Sequence, residues 1–233
     1  MSSGWPTPGP IRGVIFDIHS TLVDQGHADA WLDAALAVAP HPLPGDQRAE
    51  LVAFLDRIWE GARVSDPQST RDLSFADHSR VFHELIAAGP GVDTSLANAL
   101  YDVMLDTWQA YDDTLPTLQA LREAGVRTCL LSNAGVPIRS VLDRDGLTPW
   151  YDAIVLSYEV GFVKPDLRIF QAALDALGLP ASDVLMVGDN ANDDGGGTHL
   201  GLRTLILPRT QGRVHGLHAV TVLVAGINAA EIR

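Results

Sequence analysis

The chain has 233 residues, 46% of them hydrophobic and 19% charged, with a formal net charge of −13. That is enough for one large domain, or a medium domain carrying a smaller insert. No apolar stretch approaches the length of a membrane span, and strong acidity argues against broad nucleic-acid binding, which needs a basic surface to displace counterions.

A single cysteine, Cys129, excludes an internal disulfide framework and a multi-cysteine zinc site. The opening Met-Ser-Ser-Gly-Trp-Pro lacks the basic and apolar regions of a secretory signal, so a reducing cytoplasm is the expected compartment. Of 16 basic residues, 15 are arginine and the one lysine is Lys164.

In chain order, residues 1–10 read as a disordered lead. The apolar run from Gly13 to Phe16 then stops at Asp17. Residues 24–112 hold no strand-like run. They carry four amphipathic stripes instead: Ala28, Trp31, Leu32, Ala35 and Leu36; Leu51, Leu55, Ile58, Trp59 and Ala62; Val81, Phe82, Leu85 and Ile86; Leu96, Leu100, Val103, Met104 and Trp108. This spacing predicts a small helical bundle inserted after the first strand. With 15 acidic and 5 basic residues, the insert carries a net −10 of the total charge. Its tryptophans Trp31, Trp59 and Trp108 fall on apolar stripes, which points to core packing.

Strand and helix then alternate. A helix is predicted from Thr114 to Ala124 and another from Pro165 to Leu177, each followed by glycine. Apolar runs from Arg127 to Leu131, Ala153 to Leu156, Asp183 to Val187 and Arg203 to Leu207 read as strands buried on both faces. A further short element is expected beyond Val220. The sum is a doubly wound, parallel-sheet (Rossmann-like) α/β core over residues 11–23 and 113–233, with residues 24–112 as a separate helical domain. Cys129, in mid-strand, reads as a buried small hydrophobe. His199, His215 and His218 lack metal-ligand spacing and are expected to be exposed.

Ligands of open α/β sheets bind beyond the carboxyl ends of the strands. The polar residues there are Asp17, His19 and Thr21, then Ser132 and Asn133, then Lys164, then Asp189, Asp193 and Asp194. Several carboxylates with one lysine form the composition of a metal-assisted phosphoryl-transfer site: hard oxygen ligands, a cation for the phosphoryl oxygens and a carboxylate nucleophile.

Four segments in order, Phe16-Asp17-Ile18-His19-Ser20-Thr21-Leu22, Leu131-Ser132-Asn133-Ala134, Val163-Lys164-Pro165-Asp166 and Val187-Gly188-Asp189-Asn190-Ala191-Asn192-Asp193-Asp194, resemble the motifs of the haloacid dehalogenase superfamily. The helical insert is similar to that family's mobile cap. The resemblance implies an aspartyl-phosphate on Asp17 and Mg²⁺ held by Asp17, the backbone carbonyl of His19, Asp189 and Asp194. It also implies phosphoryl oxygens held by Ser132 and Lys164, with Thr21 and Asn133 in the substrate-binding set. Asp193 is the alternative to Asp194 through a shorter turn.

One position departs from the pattern. Phosphatases of the family carry an acid/base aspartate two residues after the nucleophile, where this chain has His19. An imidazole there has an ordinary pKa near 6.5 and can protonate a leaving alkoxide, although a nearby divalent cation opposes its charged form.

The expectation is a Mg²⁺-dependent phosphatase of a small phosphorylated metabolite with His19 in the acid/base role, working as a monomer or homodimer without nucleic acid or membrane. A haloacid dehalogenase-type hydrolase acting through an aspartyl ester, and a silent binding module that keeps the fold, are the alternatives. The phosphonate-cleaving branch needs a cap lysine, and residues 24–112 have none.

Overall fold

The computed structural model describes residues 9–210 and 212–230, so residues 1–8 of the expected lead lie outside the described residues. Strand β1 (Gly13–Phe16) is buried at every position. After the turn that follows it, the chain runs through β2 (Val23–Asp24), α1 (Ala28–Val38), α2 (Gly45–Leu55), α3 (Ile58–Ser65), a 3-10 turn (Thr70–Leu73), α4 (Phe75–Ala87), α5 (Thr94–Asp102) and β3 (Gln109–Ala110). The remainder alternates: α6 (Thr114–Glu123), β4 (Arg127–Ser132), α7 (Arg139–Arg144), β5 (Ala153–Leu156), α8 (Ser157–Val160), α9 (Leu167–Leu177), β6 (Val184–Gly188), α10 (Ala191–Asp194), β7 (Arg203–Ile206) and α11 (His218–Ala230).

Five strands form one parallel sheet in the order β5-β4-β1-β6-β7. Both faces are covered, which is why the strands read as continuous apolar runs. Val14, Phe16, Leu130 and Val187 pack with Leu118 and Leu121 of α6 and Val220 and Val224 of α11. Ile15, Cys129, Leu131 and Met186 pack on the other face against Ile169, Phe170 and Leu174 of α9. Successive strands step outward from β1 on one side, then cross to β6 on the other. The crevice at this reversal, beside the ends of β1, β4 and β6, is where such sheets bind ligands. Helix α9 starts two residues later than predicted, because the Asp166 side chain accepts from the Arg168 backbone N–H and caps it.

Residues 28–102 build a second apolar core from Trp31, Leu32, Leu51, Leu55, Phe82, Ile86 and Leu100. Each fully buried side chain of this kind contributes about 1.5–3 kcal/mol, so the bundle has its own source of stability. Trp31 also donates its indole N–H to the Leu100 carbonyl at 2.7 Å.

Two expectations are corrected. The stripe from Leu51 to Ala62 is two helices, broken at Asp56 and Arg57. Both Leu55 and Ile58 stay buried across the break, so the apolar pattern conceals it. Residues 24–112 also contain strand pairing: β2 and β3 form a two-residue antiparallel ribbon, with Val23 opposite Ala110 and Asp24 opposite Gln109. The chain leaves and re-enters the core through this ribbon, which holds the bundle over the strand ends. No helix among the described residues is long and apolar enough to cross a membrane.

Candidate active site

Asp17 follows β1 directly, 6% exposed, its backbone N–H bonded to the Val187 carbonyl at 2.9 Å. The chain then turns sharply: Thr21, Leu22 and Val23 all donate to the Ile18 carbonyl, and Ser20 donates to Val23. None of these bonds uses the His19 carbonyl. Ser20 sits at φ 63°, a left-handed conformation uncommon for a residue with a side chain.

His215 supports this turn. It is buried, not exposed as the sequence suggested, and its Nε2 donates to the Ser20 carbonyl at 2.7 Å. Its Nδ1 has no partner among the described residues. Sequence pattern missed it because the residue comes from a loop nearly two hundred positions away. His215→Ala should cost about 1–3 kcal/mol, the usual penalty for orphaning a buried carbonyl. Thermal unfolding read alongside activity checks this, and His215→Gln, which keeps a donor, should recover part of both.

Lys164 lies opposite Asp17. Its Nζ donates to Asp17 Oδ1 at 2.6 Å and to Asp194 Oδ1 at 2.7 Å. Burial alone works against its charge, but the two carboxylates outweigh that and raise its pKa. Asn133 fixes the backbone: its Oδ1 accepts from the Lys164 N–H at 2.7 Å and its Nδ2 donates to the Lys164 carbonyl at 3.1 Å. Asn133 thus bonds the lysine directly. Thr21 Oγ1 donates to Asp17 Oδ2 at 3.2 Å, so its hydroxyl orients the carboxylate. Ser132, buried at the end of β4, lines the same cleft.

Three aspartates close the site from the end of β6. Asp194 is 1% exposed and takes Lys164 on one oxygen and the Asn190 backbone N–H on the other at 3.0 Å. Asp193 accepts from Asn190 Nδ2 at 3.0 Å, so Asp194 is the one that reaches the lysine. A β-carbon on Gly188 would lie 2.0 Å from Asp194 Oδ2, which reserves that position for glycine. Asp189 is half-buried in the cleft with no hydrogen bond or ion pair among the described residues. Burial, then Asp17 and Asp194, push its carboxyl well above the usual range.

Lys164 is thus the only lysine against four clustered carboxylates. No three His, Cys, Asp or Glu side chains among the described residues already converge as a metal cage. Mg²⁺ does not need one, since it binds through one or two carboxylates and keeps water and substrate oxygens. The unpartnered Asp189, the adjacent Asp17 and the unused His19 carbonyl fit that requirement.

The His19 ring packs against the helical insert. It lies 4.7 Å, centroid to centroid, from both Trp59 and Trp108. Its Nε2 is 2.9 Å from Gln25 Oε1 and its Nδ1 3.4 Å from Ser20 Oγ. Burial lowers its pKa to about 4, with Arg63 and Arg209 acting in the same direction against the Gln25 bond and Asp24. Burial therefore disfavours the imidazolium, and both ring nitrogens are engaged, which weighs against the proton-donor half of the role expected from sequence. Trp59 and Trp108 also line the cleft in addition to packing as predicted, whereas Trp31 is wholly in the insert's core.

The cleft opens to solvent and spans about 730 Å³, open solvent included. Its far wall comes from the helical insert: Arg63, Arg71, Asp72 and His78. Sequence reading passed over the first three, because residues 63–74 are polar and carry no periodic signal. His78 is buried, stacked on Phe82 at 4.3 Å, with Nδ1 3.0 Å from Tyr101 OH. His27 is exposed. Arg63 makes no hydrogen bond or ion pair among the described residues, and its charge acts on Asp189 and Asp193.

Residues 11–201 match the family described as haloacid dehalogenase-like hydrolase. Among curated relatives, an (S)-2-haloacid dehalogenase from a Pseudomonas species is 31% identical over 208 residues, covering 86% of each chain. A glyceraldehyde 3-phosphate phosphatase from Methanothermobacter thermautotrophicus is 31% identical over 209 residues, covering 84% of this chain and 85% of that one. A phosphatase structure from Thermococcus onnurineus shares the fold at TM-score 0.61 and 22% identity, over 93% of this chain and 99% of that one.

Proposed function

Because the chain belongs to the haloacid dehalogenase-like hydrolases, we propose that its cleft hydrolyses a small phosphate monoester through an aspartyl-phosphate on Asp17, with Mg²⁺ as cofactor. The observation that carries this reading is Asp189: a half-buried carboxylate without a partner, beside Asp17 and Asp194. Uncompensated buried charge is costly, and a divalent cation removes the cost. Asp17, the His19 carbonyl and Asp189 would hold the ion, with Asp194 behind them on Lys164 and the Asn190 N–H, and the ion would supply charge neutralisation at the phosphoryl oxygens.

Lys164 is a compact ammonium within reach of the same oxygens, and Ser132 offers a hydroxyl beside it. Asn133 and Thr21 hold Lys164 and Asp17 in register, so little reorganisation is needed at the moment of transfer. Arg63 attracts the anionic substrate from the cap side. The net −10 of residues 24–112 disfavours polyphosphates and nucleic acids, leaving a small monophosphate.

A second reading has its own support. A leaving alkoxide needs a proton and a halide does not, and the His19 ring, its charged form disfavoured between two indoles, suits a site that expels halide. The relatives include enzymes of both kinds.

The test uses p-nitrophenyl phosphate and a panel of sugar monophosphates with Mg²⁺ or EDTA, taking Asp17→Asn as the blank, alongside chloride release from 2-chloropropanoate in EDTA. Mg²⁺-dependent phosphate release is the expected result. Chloride release without metal would replace it with the second reading.

Metal occupancy has a separate readout. Saturating Mg²⁺ at about 100 times its Kd should stabilise the wild type by about 2.7 kcal/mol, roughly 5–10 °C for a chain of this size. Asp189→Asn should lose most of that shift while melting no lower than the wild type in EDTA, since it removes an unpaired charge.

A further inference from the structure

The His19 ring, two residues after the nucleophile, is clamped against Trp59 and Trp108 with both nitrogens engaged, yet the cap wall of the cleft holds a carboxylic acid that the scheme above does not use. Asp72, in the 3-10 turn Thr70–Leu73, is 6% exposed and lines the same cleft as Asp17 and Lys164. Its turn is latched to the core. The Asp72 backbone carbonyl accepts from Ser157 Oγ, and that oxygen accepts from the Ala134 N–H at 2.9 Å.

Ala134 follows Ser132 and Asn133, so the latch ties Asp72 to the loop that lines the proposed phosphoryl site. The seam there is tight. A β-carbon on Gly135 would stand 2.7 Å from the Arg71 carbonyl and 2.6 Å from His78 Cβ.

The charge of Asp72 is only partly compensated by its surroundings. Arg71 Nη2 lies 3.4 Å from Asp72 Oδ2, but the same guanidinium also serves Asp66 Oδ2 at 3.4 Å and the carbonyls of Ala62 and Asp66. One cation is therefore divided between two carboxylates, and its Nε has no partner among the described residues. Burial raises the Asp72 carboxyl to about 7. Asp66 and Asp193 add to the rise, and Arg71 and the Gly135 N–H oppose it. An acid of that strength serves as donor in one step and acceptor in the next.

We propose that Asp72, carried by the cap, is the general acid and base of the reaction. This rests on the phosphatase reading above. In the first half-reaction Asp17 Oδ attacks phosphorus, and the bond from phosphorus to the substrate oxygen breaks. That oxygen keeps the electron pair and takes the Asp72 proton, leaving as the alcohol. In the second half-reaction water attacks phosphorus and gives a proton to the Asp72 carboxylate. The bond from phosphorus to Asp17 breaks and its electron pair returns to the Asp17 carboxylate. Phosphate leaves and protonated Asp72 is restored. Because the acid arrives with the cap, proton transfer is coupled to cap closure over the substrate.

The test is leaving-group dependence. With Mg²⁺ present, kcat/KM is measured for wild type and Asp72→Asn on p-nitrophenyl, phenyl and p-methoxyphenyl phosphate. This constant reports the first phosphoryl transfer whatever the rate of the second. A nitrophenolate leaves without a proton, whereas the poorer leaving groups need one. Asp72→Asn should lose about 10²- to 10³-fold on p-methoxyphenyl phosphate and at most about tenfold on p-nitrophenyl phosphate. The ratio between substrates on one preparation is independent of the folded fraction, so partial misfolding does not mimic the result. Equal loss on all three substrates, or no loss, overturns the role of Asp72 alone. A wild type inactive on all three overturns the phosphatase reading, and this proposal with it.

Discussion

Lys164→Met should melt well below the wild type at neutral pH and have no measurable activity. The lysine is 3% exposed, and Asp17 and Asp194 both bond to its Nζ. Removing one partner of a buried ion pair costs about 3–5 kcal/mol because the other charge remains. Here two are left, with Asp189 and Asp193 nearby. For a chain of this length that is a fall of roughly 6–20 °C.

The loss should also depend on pH. Burial already raises the Asp194 carboxyl against the pull of Lys164, so without the ammonium Asp194 takes up a proton more readily in the folded than in the unfolded state. A native state that binds more protons loses stability as pH rises. The gap between variant and wild type should therefore widen from mildly acidic to neutral pH and narrow again on acidification. Lys164→Arg should not restore activity, since a planar fork does not replace a compact ammonium between two carboxylates. A gap independent of pH would mean that lost packing, not unpaired charge, causes the instability. Thermal melts across the pH range decide between them.

Asp17→Asn should behave in the opposite way: activity falls by about 10⁴-fold or more, the scale of removing a nucleophile, with no fall in melting temperature. The substitution removes one of the clustered carboxylates while Lys164 keeps its bond to Asp194. The Thr21 hydroxyl, bonded to Asp17 Oδ2, still has an amide to meet. A loss of activity matched by unfolding would instead assign Asp17 a structural role. Activity of the variant against substrate, read beside its melting curve, separates the two.

The sheet was legible because burial on both faces leaves no polar alternation. Gly13–Phe16 and Val184–Gly188 stand out as uniform apolar runs, and the residues that end them are the site. The insert was legible as helix and less so in detail. A helix break between Leu55 and Ile58 preserves the apolar spacing on either side, and a ribbon of two residues per strand is too short for any period to register. Ser132, Lys164, Asp189 and Asp194 could be named from strand ends alone.

What the sequence concealed has one physical cause: burial by distant partners. His215 lies in a polar loop and becomes buried only by meeting Ser20. Asp72 and Arg71 sit in an aperiodic polar stretch, and the core loop after Ser132 encloses them. His19 kept its place in the chain, but two tryptophans predicted only to pack settle beside it, and burial there disfavours its charged form.

The central claim is that Asp17 attacks phosphorus, so that water in the second step also attacks phosphorus. The direct measurement is a reaction run in ¹⁸O-labelled water with Mg²⁺ and a phosphate monoester that the protein hydrolyses, followed by mass analysis of the released phosphate and of the peptide containing Asp17. Label in the phosphate, with Asp17 unlabelled after many turnovers and carrying a phosphoryl group when quenched during turnover, is the predicted result. Label accumulating in the Asp17 carboxylate during metal-free turnover of a 2-haloacid, with no phosphoryl adduct from any phosphate ester, would contradict it: water would then be attacking the carbonyl carbon of an aspartyl ester.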